Sequence, residues 1–174
     1  MARLMHQKGI DILIDCAAEL KRTNPGYRFI VAGDGPDEGA LHALAAQKGV
    51  NDVMTFVGRT DRPHLYLRAA DIFLLTSRWE ALPFTIVESF QAATPAVASA
   101  CSGVVELIDD SVGKVVPIGD ITAICRGVRE TLSNAERMTQ MGNTALERST
   151  EDRFRPDWVH EQFEKTYLSL AGRG

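Results

Sequence analysis

Two glutamates and two cations supply the chemistry this sequence could perform. Glu80 and Glu88 have seven residues between them. Glu80 falls in a loop, and Glu88 more than a turn inside a helix that Pro83 helps to start, because proline suits the first helical position. At about 1.5 Å rise per residue, the step from Pro83 to Glu88 spans roughly 7–8 Å along the axis. Two carboxylates so placed can grip different parts of one extended ligand. The free backbone N–H groups near Phe84 and Thr85 would lie between them as an anion site. Arg3 and Lys8 stand five positions apart just before the first helix, where long cationic side chains reach a diphosphate at the strand ends. Each feature alone also reads as solvated surface charge, and a short pattern such as E-x7-E matches by chance. Gly33-Asp34-Gly35-Pro36 is a turn or a ligand loop. Ser102-Gly103 before Glu106 is a small-residue turn or a close approach of backbone to ligand.

The elements that must hold these residues belong to one globular domain: 174 residues, 45% apolar and 24% charged. A net charge of −4 argues against a protein that lives on nucleic acid. No apolar run approaches the roughly 20 residues of a membrane-spanning helix, and the first residues carry no signal-peptide pattern. Cys16, Cys101 and Cys125 lie far apart without metal-ligand spacing, which reads as reduced core thiols in a cytoplasmic protein. Helical periodicity covers residues 9–22, 37–48, 62–70 and 83–93, with a short helix expected at 104–108. Strand patterns fall at 27–32, 53–57, 72–75, 96–98 and 113–116, and two or three helices fill 121–170.

The strands are apolar without polar alternation, as in parallel sheets covered on both faces. With the β/α alternation, this predicts an α/β fold: a Rossmann-like doubly wound parallel sheet with C-terminal helices. Ligands of such sheets sit beyond the C-terminal strand ends. The loops concerned are 33–36, 58–61, 76–82 and 99–103.

Seven weak motifs occur in one order: R-x4-KG, V-A-G-D-G-P, V-x-x-F-V-G, A-x-D-x-F-L-L-x-S-x-x-E-x-L-P-x-x-x-x-E, P-x-V-A, S-G-x-x-E and G-x-x-V-P-x-G-D. In that order the chain resembles the C-terminal, nucleotide-sugar-binding half of GT-B glycosyltransferases, specifically the retaining family 4, from Arg3 to about Leu170. The resemblance implies a substrate nucleoside-diphosphate sugar of UDP or GDP type, with no separate cofactor and no metal. Arg3 and Lys8 match the basic pair on the diphosphate, and Glu80 the glutamate beside the donor sugar. Glu88 matches the glutamate that accepts from the ribose hydroxyls. Gly58 and Arg59 fall where backbone lines the base, Phe84 and Thr85 where amides meet the distal phosphate and sugar. Glu80, Arg3 and Lys8 would be the catalytic set. The sequence departs from the family pattern at Ala81, near Ala93-Thr94 and at Ser102, where glycine is usual.

The function so implied is hexosyl transfer to a hydroxyl acceptor with retention, the acceptor being held by a preceding domain that these 174 residues do not include. The whole protein would be cytoplasmic, with peripheral membrane association compatible. The alternatives are a non-catalytic α/β ligand-binding module and another GT-B enzyme such as a nucleotide-sugar epimerase. Arg3 also stands where the family's first strand has just ended. The expectation is therefore a fragment inactive in transfer, whose second and fourth strands pair directly or borrow a strand from another copy.

Overall fold

The computed structural model describes residues 2–154 and 156–171. In chain order the elements are α1 (Ile10–Thr23), β1 (Phe29–Ala32), α2 (Glu38–Gln47), β2 (Met54–Gly58), α3 (Pro63–Ala69) and β3 (Phe73–Leu75). There follow α4 (Phe84–Gln91), β4 (Ala96–Ser99), β5 (Gly113–Val116), α5 (Ile121–Leu132), α6 (Ala135–Ser149) and α7 (Pro156–Ala171). The doubly wound α/β reading is correct: every strand pairing is parallel. The α1 face made of Ile10, Leu13, Ile14, Ala17 and Leu20 is buried, as its spacing predicts. Asp120 accepts from the Ala123 N–H to cap α5, and Asn134 from the Arg137 N–H to cap α6.

Two readings fail, the direct pairing of the second and fourth strands and the helix at 104–108. The sheet is not continuous: β1 pairs with β2, and β3, β4 and β5 form a separate three-stranded sheet. In the 3-2-1-4-5-6 order of a doubly wound sheet, these are strands 3-2 and 4-5-6. Direct pairing of the second and fourth strands, β1 and β3, is absent. A cleft of about 620 Å³ lies between them instead. The physical reason is on one face of the sheet, where α1 and α5 pack together and the Cys125 thiol meets the Cys16 carbonyl at 3.7 Å. That core takes residues from both sheets, Phe29 and Val31 from one and Val97 and Val116 from the other. Drawing β1 onto β3 would pull α1 away from α5.

The second failure is the helix at 104–108, which is a run of turns. Val104 donates to the Cys101 carbonyl, and Leu107 and Ile108 to that of Val104. Gly103 holds the segment down, because a Cβ there would come within 1.8 Å of the Ala81 carbonyl oxygen. The β-branched Val104 and Val105 do little to propagate a helix. On this second face α4 buries Ile86 and Phe90 against Val104, Leu107 and β3–β4. Each such side chain contributes about 1.5–3 kcal/mol.

Ala93, near where a glycine is usual, has φ 56 and is the one non-glycine with positive φ among the described residues. Left-handed backbone costs an L-residue about 1–2 kcal/mol, and glycine's extra unfolded-state freedom offsets about 0.4–1 of that. Ala93→Gly is expected to stabilise the domain by up to about 1 kcal/mol, read as a rise of roughly 2–4 °C in Tm by thermal unfolding.

Candidate functional site

The loops beyond the C-terminal strand ends meet above the cleft. The turn before α1 (residues 4–9) comes from one half of the molecule and the loop after β3 (residues 76–82) from the other. Backbone and side-chain hydrogen bonds join them. Arg78 donates its backbone N–H to the Gln7 carbonyl (2.8 Å), and the Gln7 amide donates to the Trp79 carbonyl (3.0 Å). The Thr76 hydroxyl donates to the Gly9 carbonyl at 2.8 Å. Gly9 has φ 61, and a Cβ on it would lie 2.1 Å from the Thr76 carbonyl oxygen. Only glycine permits this approach.

Arg78 fastens the two segments with charge. Its guanidinium forms a two-pronged pair with Asp11, at 2.8 and 2.5 Å, and also donates to the His6 carbonyl at 2.7 Å. This bond from Arg78 holds the Asp11 carboxyl below its ordinary range, and partial burial opposes the shift. Trp79 projects from the same loop, half exposed, its ring 6.1 Å from that of His6.

Inside this frame Lys8 donates to Glu80 at 2.7 Å. The Glu80 side chain is 7% exposed and its Lys8 partner 23%. The Ser77 hydroxyl donates at 2.7 Å to the same Glu80 oxygen, Oε1. The Cys101 thiol donates to the Ser77 carbonyl at 3.3 Å, and burial, then the charge of Glu80, push its pKa up. Lys8 and Glu80 are thus a partly desolvated, mutually neutralised pair at the mouth of the cleft. An anion arriving at Lys8 must share it with Glu80.

The other predicted residues make no hydrogen bond or ion pair with these two side chains. Arg3 is exposed and makes no hydrogen bond or ion pair with the described residues. Glu88 is exposed on α4. Gly58 ends β2 with φ 68, its carbonyl accepting from the Gly33 N–H at 2.7 Å, and Arg59 is exposed beside it. Phe84 is 69% exposed and Thr85 half-buried at the start of α4. No side chain caps that helix, and its first bonded amide is Ile86 to Pro83, so the Phe84 and Thr85 N–H groups point outward. Ala81 is exposed with an ordinary φ, so the missing glycine imposes no strain there.

Sequence reasoning missed the Arg78–Asp11 clamp and the His6 carbonyl as an acceptor for Arg78. No local pattern signals a pair 67 positions apart. Ser77 was visible as the serine of S-x-x-E, although its bond to Glu80 was not. Among the described residues no three His, Cys, Asp or Glu side chains cluster to hold a metal ion, and no helix is long and apolar enough to cross a membrane.

Residues 1–148 match the model of the family described as Glycosyl transferases group 1. The chain belongs to that family. It is 30% identical over 148 residues to the lipopolysaccharide core biosynthesis glycosyltransferase LpsE of Rhizobium meliloti, covering 84% of this chain and 42% of LpsE. It is 30% identical over 148 residues to the alpha-D-kanosaminyltransferase of Streptomyces kanamyceticus, covering 83% of this chain and 38% of that enzyme. The group 1 chain also superposes on Anabaena Alr3699/HepE in complex with UDP with a TM-score of 0.87 at 23% identity, covering 97% of this chain and 47% of HepE. Its fold is that of a GT-B glycosyltransferase C-terminal domain. The chain spans less than half the length of these relatives.

Because the Asp11 pKa is lowered in the fold, its pairing with Arg78 stabilises above the ordinary carboxylate value of 3.8 and is lost as pH falls through the lower folded value. Asp11→Asn is expected to cost about 1 kcal/mol at pH 7, as for partly exposed ion pairs of good geometry. Denaturant unfolding across pH should show wild type and variant converging in strong acid. A difference that persists there would mean the clamp acts through packing alone.

Proposed function

We propose that this chain is the donor domain of a retaining GT-B glycosyltransferase of family 4, binding a nucleoside-diphosphate sugar beyond the C-terminal strand ends. The observation that carries the reading is the pairing of Lys8 with a nearly buried Glu80 beside the open amides of α4. Family membership and a UDP-bound structural relative support it. Lys8 and Arg3 hold the diphosphate, and the Phe84 and Thr85 N–H groups meet its distal phosphate and the sugar. Gly58 and Arg59 line the base, and Glu88 takes the ribose hydroxyls. Glu80 then faces the sugar and keeps Lys8 aimed.

Chemically, the departing nucleoside diphosphate gains charge as the glycosidic bond to the donor breaks. Fixed cations and helix amides stabilise that charge where it develops. The acceptor hydroxyl attacks from the face the leaving group vacates, which retains configuration, and no metal or separate cofactor takes part. Acceptor binding belongs to a preceding domain of a longer cytoplasmic protein, so these 174 residues do not transfer sugar by themselves.

Calorimetric titration with UDP, GDP and ADP tests the placement and selects the base. Lys8→Ala is expected to lower affinity by about 1.5–3 kcal/mol, the loss of a charge-assisted hydrogen bond. Unchanged affinities for all three nucleotides would refute the site. The glutamates should separate: Glu88→Ala weakens the nucleotide, while Glu80→Ala spares it and impairs transfer in the full-length enzyme. Equal losses of nucleotide affinity in the two variants would overturn that division.

A further inference from the structure

Of the two glutamates, the fold draws Glu80 inward and leaves Glu88 exposed. The protein bonds to Glu80 through one oxygen only. Oε1 accepts from the Lys8 ammonium and from the Ser77 hydroxyl, each at 2.7 Å. Oε2 makes no hydrogen bond with the described residues. It is not sealed in either, because among the described residues the sealed side-chain oxygens without a partner are those of Asp15 and Ser99. A side chain 7% exposed thus keeps one carboxylate oxygen occupied and the other open.

The two donors on Oε1 differ in what they can fix. Lys8 is a compact charge on a flexible stem, so its attraction sets distance and leaves the carboxylate free to turn. The last torsion of a glutamate is broad and offers little resistance of its own. Ser77 supplies the missing restraint. It is fully buried just past the end of β3, and its hydroxyl sits on a short side chain close to the backbone. Donors prefer the plane of the oxygen they approach, so two donors on one oxygen define that plane. The peptide unit between Ser77 and Arg78 is itself tied on both sides. Its N–H donates to the Gln7 carbonyl at 2.8 Å, and its carbonyl accepts from the Cys101 thiol at 3.3 Å. Burial and the nearby charge of Glu80 raise the Cys101 pKa, so at neutral pH the thiol is a donor and adds no negative charge.

We propose that Ser77 is a positioning residue, which with Cys101 behind it fixes the Glu80 carboxylate so that Oε1 stays on Lys8 and Oε2 alone meets the ligand. The proposal rests on the donor-domain reading above and extends it to residues that never touch the donor. An ionised carboxylate oxygen only accepts, so its partner on the ligand is a hydroxyl or an amine of the sugar. That bond depends on the direction of Oε2, and therefore on Ser77. The effect of Ser77 passes through Glu80 and through nothing else.

The test is calorimetric, on the 174-residue chain. It uses UDP, GDP and ADP, and then the glucose, galactose, mannose and N-acetylglucosamine conjugates of whichever nucleotide binds. The quantity read is the sugar gain, the affinity for a conjugate divided by that for the bare nucleotide, in which a general weakening of the fold cancels. Ser77→Ala is expected to lower the gain about tenfold, as when a charge-assisted hydrogen bond is lost. Cys101→Ala, one bond further back, should lower it by less. The deciding variant is the double one: in a Glu80→Ala background, Ser77→Ala should lower the gain no further. Losses that add overturn the proposal, and so does a gain that survives Ser77→Ala. A wild type in which no conjugate gains over its nucleotide overturns it as well, while the donor-domain reading stands. A wild type that binds no nucleotide overturns that reading, and this proposal with it. Should thermal unfolding show that Ser77→Ala does not fold, Ser77→Thr against Ser77→Val decides. The two are close in shape, and only the one with a hydroxyl should keep the gain; equal gains overturn the proposal.

Discussion

The two-pronged pair between Arg78 and Asp11 is the interaction on which the candidate site depends. The β1–β2 and β3–β4–β5 sheets share no ladder, so hydrogen bonding of strands cannot fix one half against the other. Packing of α1 on α5 brings the halves together, but apolar contact sets distance more than orientation. Direction comes from the seam of Arg78 to Asp11, His6 and Gln7, with Gln7 to Trp79 and Thr76 to Gly9. Lys8 and Glu80 belong to different halves and meet only because that seam holds. A charged, bidentate contact suits this task, since it restricts angle as well as separation.

The site is also held by backbone crowding. Gly9 presses on Thr76, Gly35 on Leu4 and Gly103 on Ala81, each closer than any side chain would permit. The loops are therefore stacked main chain on main chain.

How much of this was readable from the sequence follows the range of the interactions. The α1 face, the apolar strands and the parallel pairing are local or nearly local patterns, and they appear where periodicity puts them. Lys8 and Glu80, from separate motifs, meet in one ion pair, while Arg3 and Glu88 are exposed and do not bond to it. That β1 and β3 stay apart rather than pair directly was not legible, because the pairing of an edge depends on what lies beside it and not on the strand's own residues. The 104–108 segment failed for a similar reason: its apolar spacing fits a helix, while Gly103 packed against Ala81 fixes it as turns. The Arg78–Asp11 and Lys8–Glu80 pairs join segments 67 and 72 residues apart, beyond any periodic signal.

Those separations bear on the order in which the molecule assembles. Closing a chain segment of that length costs entropy that only later contacts repay, and long-range contacts slow folding. Each half can form from its own short-range contacts: β1 with β2, and β3 with β4 and β5. The seam exists only after both stand. The charged pair at the cleft mouth is then among the last contacts to form, and opening of the seam separates its partners while each half keeps its own ladder.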